Sequence, residues 1–282
     1  MRDKNIKIGC PSEYHPLKKV ILAPPTYMTI QEPINTIQEQ FFQQNIDTEK
    51  ALQQHTIFVE KLKEQGMEVI LLAPLKKYPE QVFTRDIGFI IGDHVFVSEM
   101  GHVIRKGEEY SFLEWLENEH ISFTKFSGEK IEGGDVVLDR NSIYVGLSNR
   151  TSKKAIMHLE ESLSNKEIIT VPFNASFLHL DCVFNILSPS EALIYPDAID
   201  KEVVTLLEER YSLIKVSTKE QATLGTNVLS IGNKKVFSLP MNTEVNQELR
   251  KRGYTVMEVD ISEIIKSGGA FRCCTLPLER EG

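Results

Sequence analysis

Asn227-Val-Leu-Ser-Ile-Gly-Asn-Lys-Lys-Val-Phe-Ser-Leu239 reads as a tight hairpin. Residues 227–231 and 236–239 are apolar runs of strand length, and Gly232-Asn233-Lys234 between them has turn chemistry. The spacing then predicts a helix over 243–252, stopped at Gly253, and a third strand over 254–259. Upstream the same unit recurs. Its strands fall at 183–187, 192–195 and 212–216 around a helix at 200–211, and before that a turn at 139–142 precedes a helix at 151–164 and a strand at 167–173. Another copy has strands at 82–91, 95–97 and 121–126 and a helix near 108–118. The fifth copy is divided between the ends of the chain: 273–278 supplies its first strand and 17–23 its second, followed by a helix at 49–65, Gly66 and a strand at 67–72. Open α/β sheets alternate one strand with one helix, whereas here hairpins alternate with helices. The expected fold is α/β, a five-bladed pseudo-symmetric α/β propeller of strand-strand-helix-strand units, with residues 1–282 as one catalytic domain.

Composition narrows the function classes. The chain has 282 residues, 41% hydrophobic and 26% charged, the profile of a globular protein. Its longest apolar stretches, such as 69–75, fall far short of the roughly 18 residues of a membrane span. The N-terminal Met-Arg-Asp-Lys-Asn lacks the pattern of a secretory signal, so a cytoplasmic protein is expected. A formal charge of -8 without a basic cluster argues against nucleic acid as a partner. Cys10, Cys182, Cys273 and Cys274 form no CxxC pair and no structural zinc spacing, and no cofactor is expected. A homo-oligomer is compatible with these features.

The phase of the repeat carries the functional signal. Positions 135, 181, 227 and 273 are spaced by 46 residues, and 86 precedes 135 by 49. Asp86, Asp135, Asp181, Asn227 and Cys273 are therefore equivalent, with Glu132 and His179 a few residues ahead of two of them. A repeat built only for packing would place apolar side chains there, because unpaired buried carboxylates cost several kcal/mol. Carboxylates converging on one cavity suit a compact cation, either a divalent metal or a guanidinium. A cysteine is an unusual addition to an oxygen-rich metal site. Guanidinium suits the paired acceptors Asp86 and Asp181, and a Cys273 thiolate can add to its carbon. His179 would then protonate the departing amine and deprotonate water, with Glu132 orienting the imidazole.

The segments Phe83-Thr-Arg-Asp86, Glu132-Gly-Gly-Asp135, Leu178-His-Leu-Asp181 and Gly268-Gly-Ala-Phe-Arg-Cys273 resemble the ordered motifs of the guanidino-group-modifying superfamily. That superfamily, also called penteins, includes arginine deiminases, dimethylarginine dimethylaminohydrolases and amidinotransferases. The resemblance spans about residues 18–278. It implies a five-bladed α/β propeller, a covalent amidino-thioether on Cys273, acid/base work by His179 and Glu132, and guanidinium binding by Asp86 and Asp181. Arg150 is similar to the arginine that such enzymes use for a substrate carboxylate, and Arg105 is a second candidate for that task. The small-molecule partner implied is an arginine-like guanidino compound hydrolysed to a ureido product with release of ammonia or an alkylamine. Alternatives are transfer of the amidino group to an amine and non-catalytic guanidinium binding. Two aspartates matched to an unsubstituted guanidinium favour ammonia as the leaving group. Arg272 departs from the histidine that deiminases and amidinotransferases tend to carry there.

Other polar residues have plainer readings. Strand alternation predicts that Cys182 and Cys274 face away from the axis and pack in the core. Asp135 either touches substrate or accepts backbone N–H groups, and Asn227 has the same two options. Arg85 reads as an ion-pair partner within the structure. His15, His55, His94, His102, His120 and His158 read as solvated or structural. Residues 24–47, with Pro24, Pro25 and Pro33, break the unit and read as a lid or as a surface loop.

Overall fold

The computed structural model describes residues 6–282, and the five leading residues of the N-terminal reading lie outside that range. Five three-stranded sheets share one pattern, an antiparallel hairpin whose second strand pairs in parallel with a third after a helical crossover. Gly88–Ile91, His94–Val97 and Thr124–Lys125 form one sheet, and Val136–Asp139, Ser142–Leu147 and Glu167–Pro172 the next. Phe184–Ser188, Glu191–Ile194 and Ser212–Lys215 follow, then Leu229–Gly232, Lys235–Ser238 and Thr255–Glu258. In the fifth, Leu276–Arg280 lies antiparallel to Leu17–Leu22, which pairs in parallel with Glu68–Leu71. The two ends of the chain thus complete one unit.

Local chemistry sets the element ends. The helix Thr48–Glu64 starts at Asp47, whose side chain accepts the Lys50 N–H. It buries Ala51, Phe58, Val59 and Leu62 along one stripe and stops at Gly66, where φ is +85°. Thr243–Lys251 ends likewise at Gly253, with φ +83°. First strands such as Gly88–Ile91 and Val136–Asp139 are buried throughout, whereas third strands such as Glu68–Leu71 and Thr255–Glu258 are partly exposed. The buried first strands touch one another across sheets: Leu276–Arg280 against Gly88–Ile91, Val136–Asp139 against Phe184–Ser188, and Phe184–Ser188 against Leu229–Gly232. The sheets stay separate, so no single sheet closes on itself. No described helix is long and apolar enough to cross a membrane.

One expectation changes here. The first strands begin later than predicted, at Gly88 rather than Val82 and at Leu276 rather than Cys273, because the polar motif residues adopt turns. Residues 24–47, read as a lid or surface loop, are not without structure of their own. They include a helix, Thr36–Phe41, capped by Asn35, whose Oδ1 accepts the N–H groups of Ile37 and Gln38.

Candidate active site

The equivalent residues sit on the turns that feed the first strands, not on the strands. Glu132 precedes the 3-10 turn Gly133–Asp135, His179 precedes the 3-10 turn Leu180–Cys182, and Cys273 lies in the turn before Leu276–Arg280. Backbone bonds stitch these turns together: the Arg85 N–H donates to the Cys273 carbonyl at 3.0 Å and the Gly133 N–H to the Asp86 carbonyl at 3.2 Å. Gly134 makes the approach possible. A Cβ there would lie 2.7 Å from both Asp86 Oδ1 and His179 Cγ.

On one side of the site, His179 Nε2 bonds Glu132 Oε2 at 2.7 Å, while its Nδ1 stands 3.6 Å from Asp86 Oδ1. Both Nδ1 and Oδ1 are buried and have no hydrogen-bond partner among the described residues. Burial alone would favour neutral imidazole, but the carboxylates of Asp86, Glu132 and Asp135 outweigh it and hold the His179 pKa up to about 10. Burial likewise opposes ionisation of Glu132, yet the His179 contact and then Arg150 and Arg105 bring its pKa down to about 2. The pair is an imidazolium and a carboxylate. One ligand atom each of Asp86, Glu132 and His179 lie within 4.8 Å of one another, and a metal there would have to displace the ring proton.

Asp181, Cys182 and Cys273 form the other side, also within 4.8 Å of one another. Asp181 oxygens lie 3.6 and 3.7 Å from Cys273 Sγ, and Asn227 Nδ2 lies 3.1 Å from it. The Cys182 contact, burial and the nearby Asp181 carboxylate push the Cys273 thiol well above its usual value. Cys182 packs among buried apolar residues, as expected, yet it is not turned away from the site. A 3-10 turn has three residues per revolution and no two-residue alternation, so Cys182 stays beside Cys273. Cys274 does pack in the apolar core, with Cys273 also at its edge.

The arginines are engaged. Arg105 donates to Asp86 Oδ2 at 2.6 Å and to Glu108 at 2.7 Å, and Arg150 donates to Glu132 Oε1 at 3.4 Å. Both are buried. Arg272 clamps Asp181 Oδ2 at 2.6 Å and Glu13 at 2.8 Å, so this departure from the family pattern serves an internal ion-pair network. Asp86 and Asp181 thus each have one oxygen occupied by an arginine. The Oδ1 atom of each is left free of arginine. Asp135 accepts from Ser148 Oγ at 2.6 Å and from the Leu180 N–H at 2.9 Å, which ties two turns together. Arg85 lies 3.8 Å from Glu13 in the same buried network as Arg272.

Segment 24–47 packs above the site. Gln38 donates to Glu80 at 2.9 Å and to Ser267 at 2.6 Å, and Asn35 donates to the Ser267 carbonyl at 3.0 Å. Between this helix and the 3-10 turn at Leu180 lies a cavity of about 210 Å³ lined by Asn35, Ile37, Phe177, Cys182, Gln221 and Gly268. Glu13, Glu108 and Gln38 were not foreseen as parts of this surround. Glu108 had a local signal, its i,i+3 placement after Arg105, but nothing local marks Glu13 or Gln38.

A family model described as N,N dimethylarginine dimethylhydrolase, eukaryotic, matches residues 24–280. YkgA of Bacillus subtilis (strain 168), an uncharacterized protein, is 52% identical over 97% of this chain and 96% of its own length. An arginine deiminase of Listeria monocytogenes is 28% identical, with 73% of this chain and 63% of that protein covered. The product-bound N-terminal domain of ArgZ, a cyanobacterial arginine dihydrolase, superposes with a TM-score of 0.86 at 25% identity, over 93% of this chain and 97% of that one.

Proposed function

Since the chain belongs to the N,N dimethylarginine dimethylhydrolase family of guanidino-modifying, cysteine-dependent enzymes, we propose that it hydrolyses the guanidino group of an arginine-like compound through a covalent adduct on Cys273. The observation that carries the reading is the facing pair of buried, unpartnered atoms, the Asp86 Oδ1 acceptor and the His179 Nδ1 donor. Leaving both unmade costs about 1–3 kcal/mol apiece. A guanidinium supplies an N–H to the first and a departing nitrogen to the second. Asp181 Oδ1 takes a further N–H beside the sulfur. The five sheets, in this reading, surround a common axis as blades, and the chain works as one catalytic unit.

Charge dictates the sequence of steps. With Asp181 and Asp86 near the sulfur, Cys273 rests as a thiol, and an arriving guanidinium offsets their charge so that the thiol proton passes to solvent. The thiolate adds to the guanidinium carbon. The C–N bond to the leaving nitrogen breaks as His179 Nδ1 gives up its proton, and ammonia or a small alkylamine departs. Water then adds to the amidino carbon with His179 taking a proton, the C–S bond breaks, and a ureido product leaves. Glu132 keeps the ring oriented and charged for the first half. Arg150 and Arg105 stand behind Glu132 and Asp86, and for a substrate carboxylate to reach them they must exchange one of these bonds.

Incubation with a panel of guanidino compounds, unsubstituted and N-methylated, tests the proposal. A ureido product is expected whether or not an amine acceptor is added, together with a mass increase on Cys273 when turnover is quenched. Product that forms only with an added amine would identify a transferase. No product from any guanidino compound would overturn the reading.

A further inference from the structure

Asn227 stands at the repeat position where the other units carry Asp86, Asp135, Asp181 and Cys273. Its carboxamide is fully used. Oδ1 accepts the backbone N–H groups of Arg272 at 3.1 Å and Cys273 at 3.2 Å, while Nδ2 donates to the Asp181 carbonyl at 3.1 Å and to Cys273 Sγ at 3.1 Å. The two backbone donors fix which way round the amide lies, because an NH₂ group cannot accept from them. Its donor end therefore faces the sulfur.

The remaining surroundings of Sγ oppose a negative charge. Asp181 places two carboxylate oxygens at 3.6 and 3.7 Å, and the Cys182 thiol sits within 4.8 Å. Among the described residues, Asn227 is the one N–H donor to this sulfur. An aspartate at this position, as in three of the other units, would leave the nucleophile facing acceptors alone. We infer that Asn227 is a catalytic residue: its Nδ2–H stabilises the Cys273 thiolate as the proton leaves and again when the C–S bond breaks to release the product. The inference rests on Cys273 being the nucleophile. It adds a donor that acts in both halves of the reaction, in the manner of a preorganised hydrogen bond aimed at developing charge.

Three substitutions test this. Asn227→Asp keeps the acceptor for both backbone N–H groups and replaces the donor with an oxygen. It is expected to lower kcat by roughly 10²-fold with little change in KM. The pH profile of Cys273 alkylation by 2-chloroacetamidine should also move to higher pH. Asn227→Ser retains a hydroxyl donor and should recover part of the activity lost in Asn227→Ala, a variant of nearly the same size. That comparison decides the matter if the aspartate variant does not fold. An unshifted alkylation profile in Asn227→Asp, or equal rates for the serine and alanine variants, would overturn the role of Asn227 while leaving Cys273 in place. If wild-type Cys273 reacts no faster than Cys10 or Cys274, the nucleophile assignment itself fails and the inference with it.

Discussion

At the scale of single residues, the site works by setting two protons against their usual positions. His179 keeps its proton to about pH 10 because carboxylates outweigh burial, whereas the Cys273 thiol is held by carboxylates and burial well above its ordinary value. In the proposed mechanism His179 is thus ready as the acid, whereas Cys273 becomes a nucleophile only when a cation arrives. Glu132→Gln removes the charge of the imidazolium's hydrogen-bonded partner. The alkaline limb of the kcat profile should then move to lower pH, with kcat at neutral pH reduced by about 10²-fold; an unmoved limb would show that another group is the acid. A second consequence concerns reagent charge. Neutral iodoacetamide should modify Cys273 slowly at pH 7 and much faster above pH 9, while a cationic haloacetamidine should react well at pH 7. Equal reaction of iodoacetamide at both pH values would contradict a thiol resting state.

At the scale of elements, short turns do what strands were expected to do. Glu132, His179 and Asp181 project from 3-10 turns or their flanks, and glycine lets two such turns meet. Gly134→Ala puts a methyl 2.7 Å from Asp86 Oδ1 and His179 Cγ, so the ring must shift. Overpacking of this kind costs about 1–3 kcal/mol. Activity should fall by more than the loss of stability explains, as read by kcat beside the urea midpoint. The helix Thr36–Phe41 is pinned by Gln38 to Glu80 and Ser267, all buried. Gln38→Ala strips a donor from a buried carboxylate, at about 1–3 kcal/mol, and should speed limited proteolysis within 24–47 while leaving the sheets protected. Cleavage at the wild-type rate would mean that the apolar contacts of the helix hold the segment without Gln38.

At the scale of the whole molecule, the buried His179–Glu132 pair links the site to stability. His179 is raised from 6.5 to about 10, so its contribution is complete below pH 6.5 and is lost as pH rises towards 10. Glu132 is lowered from 4.5 to about 2, so its contribution is complete above pH 4.5 and is lost as pH falls towards 2. Together they place their greatest stabilisation between pH 4.5 and 6.5. Chemical denaturation across pH should show both limbs in the wild type and shallower ones in Glu132→Gln; identical curves would show that the pair does not set them.

Much of this molecule is legible in its sequence. The alternation of hairpins and helices gave five strand-strand-helix-strand units, including the one shared by the two ends, because apolar periodicity and turn residues are local properties. The phase of the repeat singled out Asp86, Asp135, Asp181, Asn227 and Cys273, since a repeat that returns to the same place returns its side chains there as well. Tertiary structure decided the rest. That Cys182 lies beside Cys273 depends on a turn replacing a strand, and no pattern of apolar residues distinguishes the two over three positions. That Arg105, Arg150 and Arg272 are spent on Asp86, Glu132 and Asp181 depends on long flexible side chains meeting carboxylates distant in sequence, as does the arrival of Glu13 from the N-terminal segment. Periodicity fixes where a backbone returns, but the pairing of buried charges is settled only when every partner competes for the same space.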